Sequence, residues 1–318
     1  MKAIVSQEKV EGYHAIVISN NKLRAVVLPE LGGRVWELED RARGRKWIWH
    51  RDDVPLRKAQ TGACYDDVWA GGWEELFPND APCRFDGRDL PDHGEWWTMS
   101  WDATVLSTGD KAVVRLAAES TAVKTTCVKE FSLSADAAAL VVNYQIRNDE
   151  DRPIHFLFKQ HLAIGITPDC RLWMPGGRVQ PVDASFSTIL PEGGPFDWPF
   201  AVGQGKSVDL RAIPPARAGA REFVYVSELP EPWCGVQDMK EGAAIRMDFD
   251  SRSFPYVWLF LTYGGWRNLY TAVLEPCTNL PKDLSEAVRL GQSARLEPGH
   301  KFETVVSVTL AGLKETER

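Results

Sequence analysis

Short runs rich in β-branched and aromatic residues recur along almost the whole chain, each closed by Gly, Pro, Asp or Asn. They read YHAIVIS, LRAVVLP, AVVRLAAES, TTCVKEFSL, ALVVNYQIR, IHFLFKQHLAIGI, EFVYVSEL, AAIRMDF, YVWLFLTY, YTAVLEP and ETVVSVTL. Many short strands with frequent turn signals predict an all-β sandwich or barrel. In one run Leu140, Val142, Tyr144 and Ile146 share a face while Asn143, Gln145 and Arg147 take the other, the period-two mark of an antiparallel strand. Helical signal is scarce. Its best instance is PKDLSEAVRLG at 281–291, with Leu284, Ala287 and Val288 at three-to-four spacing and Gly291 as a stop. No fixed repeat suggests a propeller. The expectation is one domain over residues 1–318, a large antiparallel β-sandwich with few short helices, and a surface loop from Leu190 to Pro215.

Composition removes several functions. A chain that is 44% hydrophobic and 25% charged can build a core, which excludes disorder. A net charge of -7 argues against nucleic acid or an anionic membrane as the partner, since both attract a basic face. No apolar run reaches the length of a signal peptide or of a membrane helix, so a cytoplasmic location is expected. Cysteines 64, 83, 127, 170, 234 and 277 form no Cys-x-x-Cys pair, and reduced thiols are the default.

Some motifs mislead. VGQGKSVDL at 202–210 ends like a phosphate-binding loop, but Phe200 stands where that loop needs glycine, and a turn is the better reading. No nucleophile elbow or dinucleotide-binding glycine pattern occurs, and no cofactor is implied. Asp66, Asp67, Glu74 and Glu75 could bind calcium or supply a glycosidase's carboxylates, although a solvated acidic rim is the plainer expectation. Thirteen tryptophans, with Trp69, Trp73, Trp96, Trp97, Trp198, Trp233 and Trp266 in Gly- and Pro-containing segments, suit the C–H face of a sugar.

IHFLFKQHLAIGI at 154–166 carries ionisable groups inside a sheet-like run. Strict alternation puts Phe156, Phe158, Leu162 and Ile164 on the packed side and His155, Lys159 and His161 on a wet face or cleft. Two further segments carry loop and strand-end chemistry: residues 71–97, with His93 before Gly94, and residues 270–287, where Glu275 closes an apolar strand and Pro276 breaks it.

The ordered set LPELGGRVWEL, GGWEELFPN, LPDHGEWW, FKQHLAIG, LEPCTNLP and LEPGHKFETVVSVTL resembles the galactose mutarotase-like, or aldose 1-epimerase, family across nearly the whole chain. The resemblance implies the supersandwich form of the β-sandwich and a small-molecule carbohydrate as partner. It places His161 at the family's catalytic histidine, Glu275 at its catalytic glutamate, and His93 at a substrate-contacting histidine. Leu162 replaces the usual proline, and the family's sugar-contacting arginine and aspartate have no clear counterpart. Asn79, Arg84 and Asp238 are candidates for those contacts, and Trp97 for the cleft.

Interconverting anomers requires a base for the C1 hydroxyl proton and an acid for the ring oxygen. With ordinary pKa values near 4.3 and 6.5, Glu275 is the expected base and His161 the expected acid. A sugar-binding or sensing protein on the same scaffold is the alternative. Lys159 is expected either to pair with an acid of the cleft rim, to bind an anionic substrate group, or to extend its ammonium to water.

Overall fold

A computed structural model of the protein describes residues 2–190, 194–203 and 206–313. Strand accounts for 53% of it and helix for 6%, far below the helix content of an average globular protein. Two large antiparallel sheets face one another across a shared apolar core. The twelve-stranded sheet runs in space through strands 4–10, 13–19, 23–28, 34–40, 73–76, 159–165, 270–277, 256–263, 220–227, 178–181 and 196–197, with 45–46 joined to 34–40. The eight-stranded sheet runs 170–173, 233–238, 243–249, 301–312, 139–148, 125–134, 111–120 and 102–107.

Alternation explains both layers. Leu140, Val142, Tyr144 and Ile146 are buried toward the core, whereas Asn143 and Arg147 are exposed. The helix at Leu284–Arg289 is capped by Asp283, whose carboxylate accepts the Glu286 N–H at 2.8 Å, and Gly291 follows in the left-handed region at φ 67°. All six cysteines are free. The expected 190–215 loop holds more order than its composition suggests: strands Phe200–Gly203 and Lys206–Asp209 pair as a hairpin. Residues 204 and 205, the centre of the expected turn, lie outside the described residues. Among the described residues no helix is long and apolar enough to cross a membrane.

The strand Lys159–Gly165 lies between Trp73–Leu76 and Tyr270–Cys277. Its register sets Leu162 opposite Trp73 on one side and Leu274 on the other. Leu162, Ile164, Trp73 and Leu274 belong to the core between the sheets. Their immediate neighbours His161, Glu74 and Glu275 therefore point to the opposite face of the large sheet. That outer face carries the cavity.

Candidate active site

Strand pairing alone brings the two expected catalytic groups together. With Lys159 opposite Cys277 and Leu162 opposite Leu274, Glu275 lies across from His161, and His161 Nε2 is 3.3 Å from Glu275 Oε1. Lys159, two residues along on the same face, sets its ammonium 3.0 Å from Glu275 Oε1 and in close contact with Asp80. Its charge also lies 4.3 Å from the centre of the Trp258 ring, a cation–π contact beneath the ion pair. Of the three expected outcomes for Lys159, pairing with acids is the one found. These groups line a cavity of about 280 Å³ with Tyr65, Trp69, His93, Phe186 and Trp266. That is near the lower end of ligand pockets, of order 300–1,000 Å³.

A second chain of polar groups reaches His161 from below. Arg34 is 2.6 Å from Glu74, the Tyr65 hydroxyl donates to Glu74 Oε1 at 2.5 Å, and the same hydroxyl lies 3.2 Å from His161 Nδ1. All four residues are buried. Tyr65 opens the short helix Tyr65–Val68, and its own N–H donates to Asp92 Oδ2 at 2.9 Å. Asp92 Oδ1 holds His93 Nδ1 at 2.7 Å, and the His93 ring stacks on Tyr65 with centroids 4.0 Å apart. His93 itself sits at φ 59°. Gly94 follows at φ 68°, where a Cβ would fall 2.1 Å from the Phe77 carbonyl oxygen, so the turn that presents His93 requires glycine there.

Burial and charge decide where protons sit. Burial pushes the Glu275 carboxyl up to about 7; Lys159 opposes this and Asp80 adds to it. Burial, then the Lys159 and His93 charges, hold His161 well below the ordinary imidazole range. Burial alone would also lower His93, but Asp80 and Asp92 outweigh it and raise its pKa. For Lys159 the burial penalty is exceeded by Asp80 and Glu275, and its pKa is raised. Both directions run against a charged His161 beside an ionised Glu275: a lysine on the same strand face and the depth of the site disfavour that charge.

Other expectations are corrected. His155 belongs to a separate short strand, Ile154–Phe156, which pairs with Ala294–Leu296, and meets Ser293 at 2.8 Å; the alternation of Phe156, Phe158 and Leu162 toward the core holds, but strand pairing breaks at Leu157 and Phe158. The strand bearing Glu275 continues through Pro276 to Cys277. Arg84 is exposed, 3.8 Å from Asp89 and away from the cavity. Asp238 lies in the other sheet, where it pairs with Arg45 at 3.4 Å and caps the turn at Lys240 and Glu241. Asn79 is buried and ties Ala81 and Pro91 together through its amide. Trp97 supports the site from behind, edge-on to Tyr65 and donating to the Gly94 carbonyl, but does not line it. The acidic stretch divides: Asp67 is exposed and paired with Arg267 as a rim residue, and Asp66 lines the cavity, whereas Glu74 and Glu75 are buried and point to opposite faces. Of the tryptophans singled out, Trp69 and Trp266 line the cavity.

Tyr65, Asp80, Asp92 and Arg34 escaped sequence reading, and Glu74 was read only as part of an acidic cluster, since each is placed by tertiary contacts. The one available signal was the density of acids in 66–92. Among the described residues no group of three or more His, Cys, Asp or Glu side chains is arranged to hold a metal ion.

Comparison with solved structures agrees with this architecture. A Klebsiella pneumoniae protein named as a putative aldose 1-epimerase superposes with a TM-score of 0.74 at 13% identity, covering 98% of this chain and 85% of its own. A galactose mutarotase-like protein from Clostridium acetobutylicum gives 0.69 at 13%, covering 98% and 99%. The Slr1438 protein of Synechocystis sp. PCC 6803 gives 0.67 at 16%, covering 97% and 96%. The fold is that of the galactose mutarotase-like β-sandwiches. No protein-family model matches the chain, and no curated protein is similar to it in sequence.

Proposed function

We propose that the protein is an aldose 1-epimerase-type isomerase that interconverts the anomers of a free, uncharged sugar. The observation that carries this reading is the 3.3 Å contact between His161 Nε2 and Glu275 Oε1 in the wall of a monosaccharide-scale cavity. The two oxygens that exchange protons in ring opening are bonded to one carbon, so the acid and base that serve them must be neighbours. A facing carboxyl and imidazole meet that need, and each such group contributes about 10²–10⁴ in rate. The names of the structural neighbours point to the same chemistry.

The aromatic walls suit the C–H faces of a pyranose. The lining charges favour a neutral ligand: Asp66, Asp80, Asp92 and Asp183 face Lys159, Lys282 and His93, and Lys159 is already paired with Asp80. A phosphate or carboxylate on the substrate would meet net repulsion. The test is anomer exchange followed by NMR with neutral, acidic and phosphorylated sugars. Acceleration for a neutral sugar is expected; binding without acceleration would make this a sugar-binding protein instead.

A further inference from the structure

The carboxylates that line the cavity are engaged, with one exception. Asp80 contacts Lys159, Asp92 holds the His93 ring and the Tyr65 N–H, and Asp183 accepts the Ser185 N–H at 2.8 Å and its hydroxyl at 2.7 Å. Glu275 lies 3.0 Å from Lys159 Nζ and 3.3 Å from His161 Nε2. Asp66 lines the same cavity, yet among the described residues its carboxylate makes neither a hydrogen bond nor an ion pair.

Its neighbours aim it. Consecutive side chains on a helix diverge by about 100°. Tyr65 turns inward to Glu74, and Asp67 turns outward to Arg267, which it meets at 2.8 Å. The Arg51 guanidinium donates to the Asp66 carbonyl at 2.8 Å and fixes the backbone between them. The half-buried Asp66 side chain is left facing the cavity, three residues before Trp69, whose ring lies edge-on to His161 at 5.1 Å. Burial raises its pKa above the ordinary carboxylate value, with His93 and Arg267 opposing. A carboxylate partly stripped of water and given no donor in return is costly, and a ligand hydroxyl would supply that donor. The wall of Phe223, Phe260 and Trp266, with ring centroids 5.6 and 5.1 Å apart, suits the C–H face of a sugar and leaves the hydroxyls at the ring edge to polar groups.

Resting on the ring-opening reading of this cavity, we propose that Asp66 is a specificity-determining residue: its carboxylate accepts the hydroxyl hydrogens at C3 and C4, and the substrate class is a free aldose in which both are unsubstituted. The reacting end of the sugar is set by His161 and Glu275, both deeply buried, whereas Asp66 is less buried and lies nearer the mouth. In a pyranose the C3–C4 bond is the ring bond opposite C1–O5, so these two hydroxyls are the ones farthest from the acid–base pair. Two carboxylate oxygens match two adjacent hydroxyls, each in a charge-assisted hydrogen bond. Asp66 binds and orients the sugar, and exchanges no proton with it.

Anomer exchange of a neutral hexose and of its 2-, 3-, 4- and 6-deoxy analogues, with wild type, Asp66→Ala and Asp66→Asn, reads this contact. Wild type should disfavour the 3-deoxy or 4-deoxy analogue by about 10–100-fold in kcat/KM. Asp66→Ala should lose about the same factor on the parent hexose, mostly through KM, and lose no further factor on that analogue. Asp66→Asn, which keeps the size and one acceptor, should fall between. A folded Asp66→Ala that handicaps the parent and all four analogues equally, or none of them, overturns the assignment and leaves the ring-opening reading in place. Coupling to the 2-deoxy or 6-deoxy position instead overturns the placement of C3 and C4 at Asp66. Should wild type accelerate no sugar, equilibrium titration with the same sugars gives the comparison in Kd: the expected pattern keeps Asp66 as the sugar contact and removes the ring-opening reading, and a wild type that binds none of them removes both.

Discussion

The strands Trp73–Leu76 and Lys159–Gly165 carry a buried ionisable group on each face, and the two faces are built differently. Toward the sandwich interior, Glu75 is paired with Lys129, accepts the Tyr144 hydroxyl at 2.6 Å, and lies beside Gln160, which accepts Trp73 Nε1 at 2.8 Å. Lys129 also donates to the Gly32 carbonyl and packs 4.5 Å from the Trp101 ring centre. Among the described residues both charges there are partnered, and neither lines the cavity that holds His161. Toward the outer face, Glu74 and His161 are one residue away in sequence, yet the chain they begin ends at Glu275 with an unpartnered oxygen at a cavity wall. Closed networks of this kind fix a fold, whereas a network left open at a cavity keeps a proton available for chemistry.

The largest expected effect separates the faces by function. Glu275→Gln should lower anomer exchange by about 10²–10⁴ in a folded protein. Lys129→Met, on the closed face, should instead cost about 3–5 kcal/mol of stability by leaving Glu75 buried and unpaired, while folded molecules keep their rate. Urea unfolding and NMR exchange on the same samples check both, and a Lys129→Met protein of normal stability would erase the distinction.

A smaller effect concerns pH. Glu275 holds its proton more tightly folded than unfolded, because burial raises it from the ordinary 4.5 to about 7. Its contribution to stability is present in full below about pH 4.5 and is lost as pH rises to about 7, worth up to about 3 kcal/mol. His161 works the other way: its lowered pKa costs stability as pH falls below about 6.5. Glu275→Gln removes only the first. Its Tm relative to wild type should therefore climb between about pH 4.5 and 7 and level off above; a constant difference would mean that Glu275 is ionised throughout. Smallest of all, Arg84→Ala on the exposed hairpin should leave exchange unchanged and stability within about 0.5 kcal/mol. A selective loss of sugar affinity there would restore Arg84 to the site.

Period two and turn chemistry were enough to foresee the antiparallel layers, the short C-terminal helix, and the sharing of one face by Lys159 and His161. The meeting of His161 with Glu275 was legible only through the family resemblance, since strand register across 114 residues is not written in either segment. Asp80, Tyr65 and Arg34 reach the site through loop closure and cross-strand packing, which local patterns do not encode. Within the acidic stretch at 66–75, Glu74 and Glu75 were misjudged for the same reason. Glu74 and Glu75 are adjacent letters, but the pleat sends one to the cavity and the other to Lys129, and each buried charge has a partner more than thirty residues away.

The claim that the open face performs ring opening has one direct measurement: NMR anomer exchange of a neutral free sugar with wild-type protein and with Glu275→Gln. Fast exchange by the wild type, lost in the folded variant, is the expected result. Equal rates in the two proteins would contradict it.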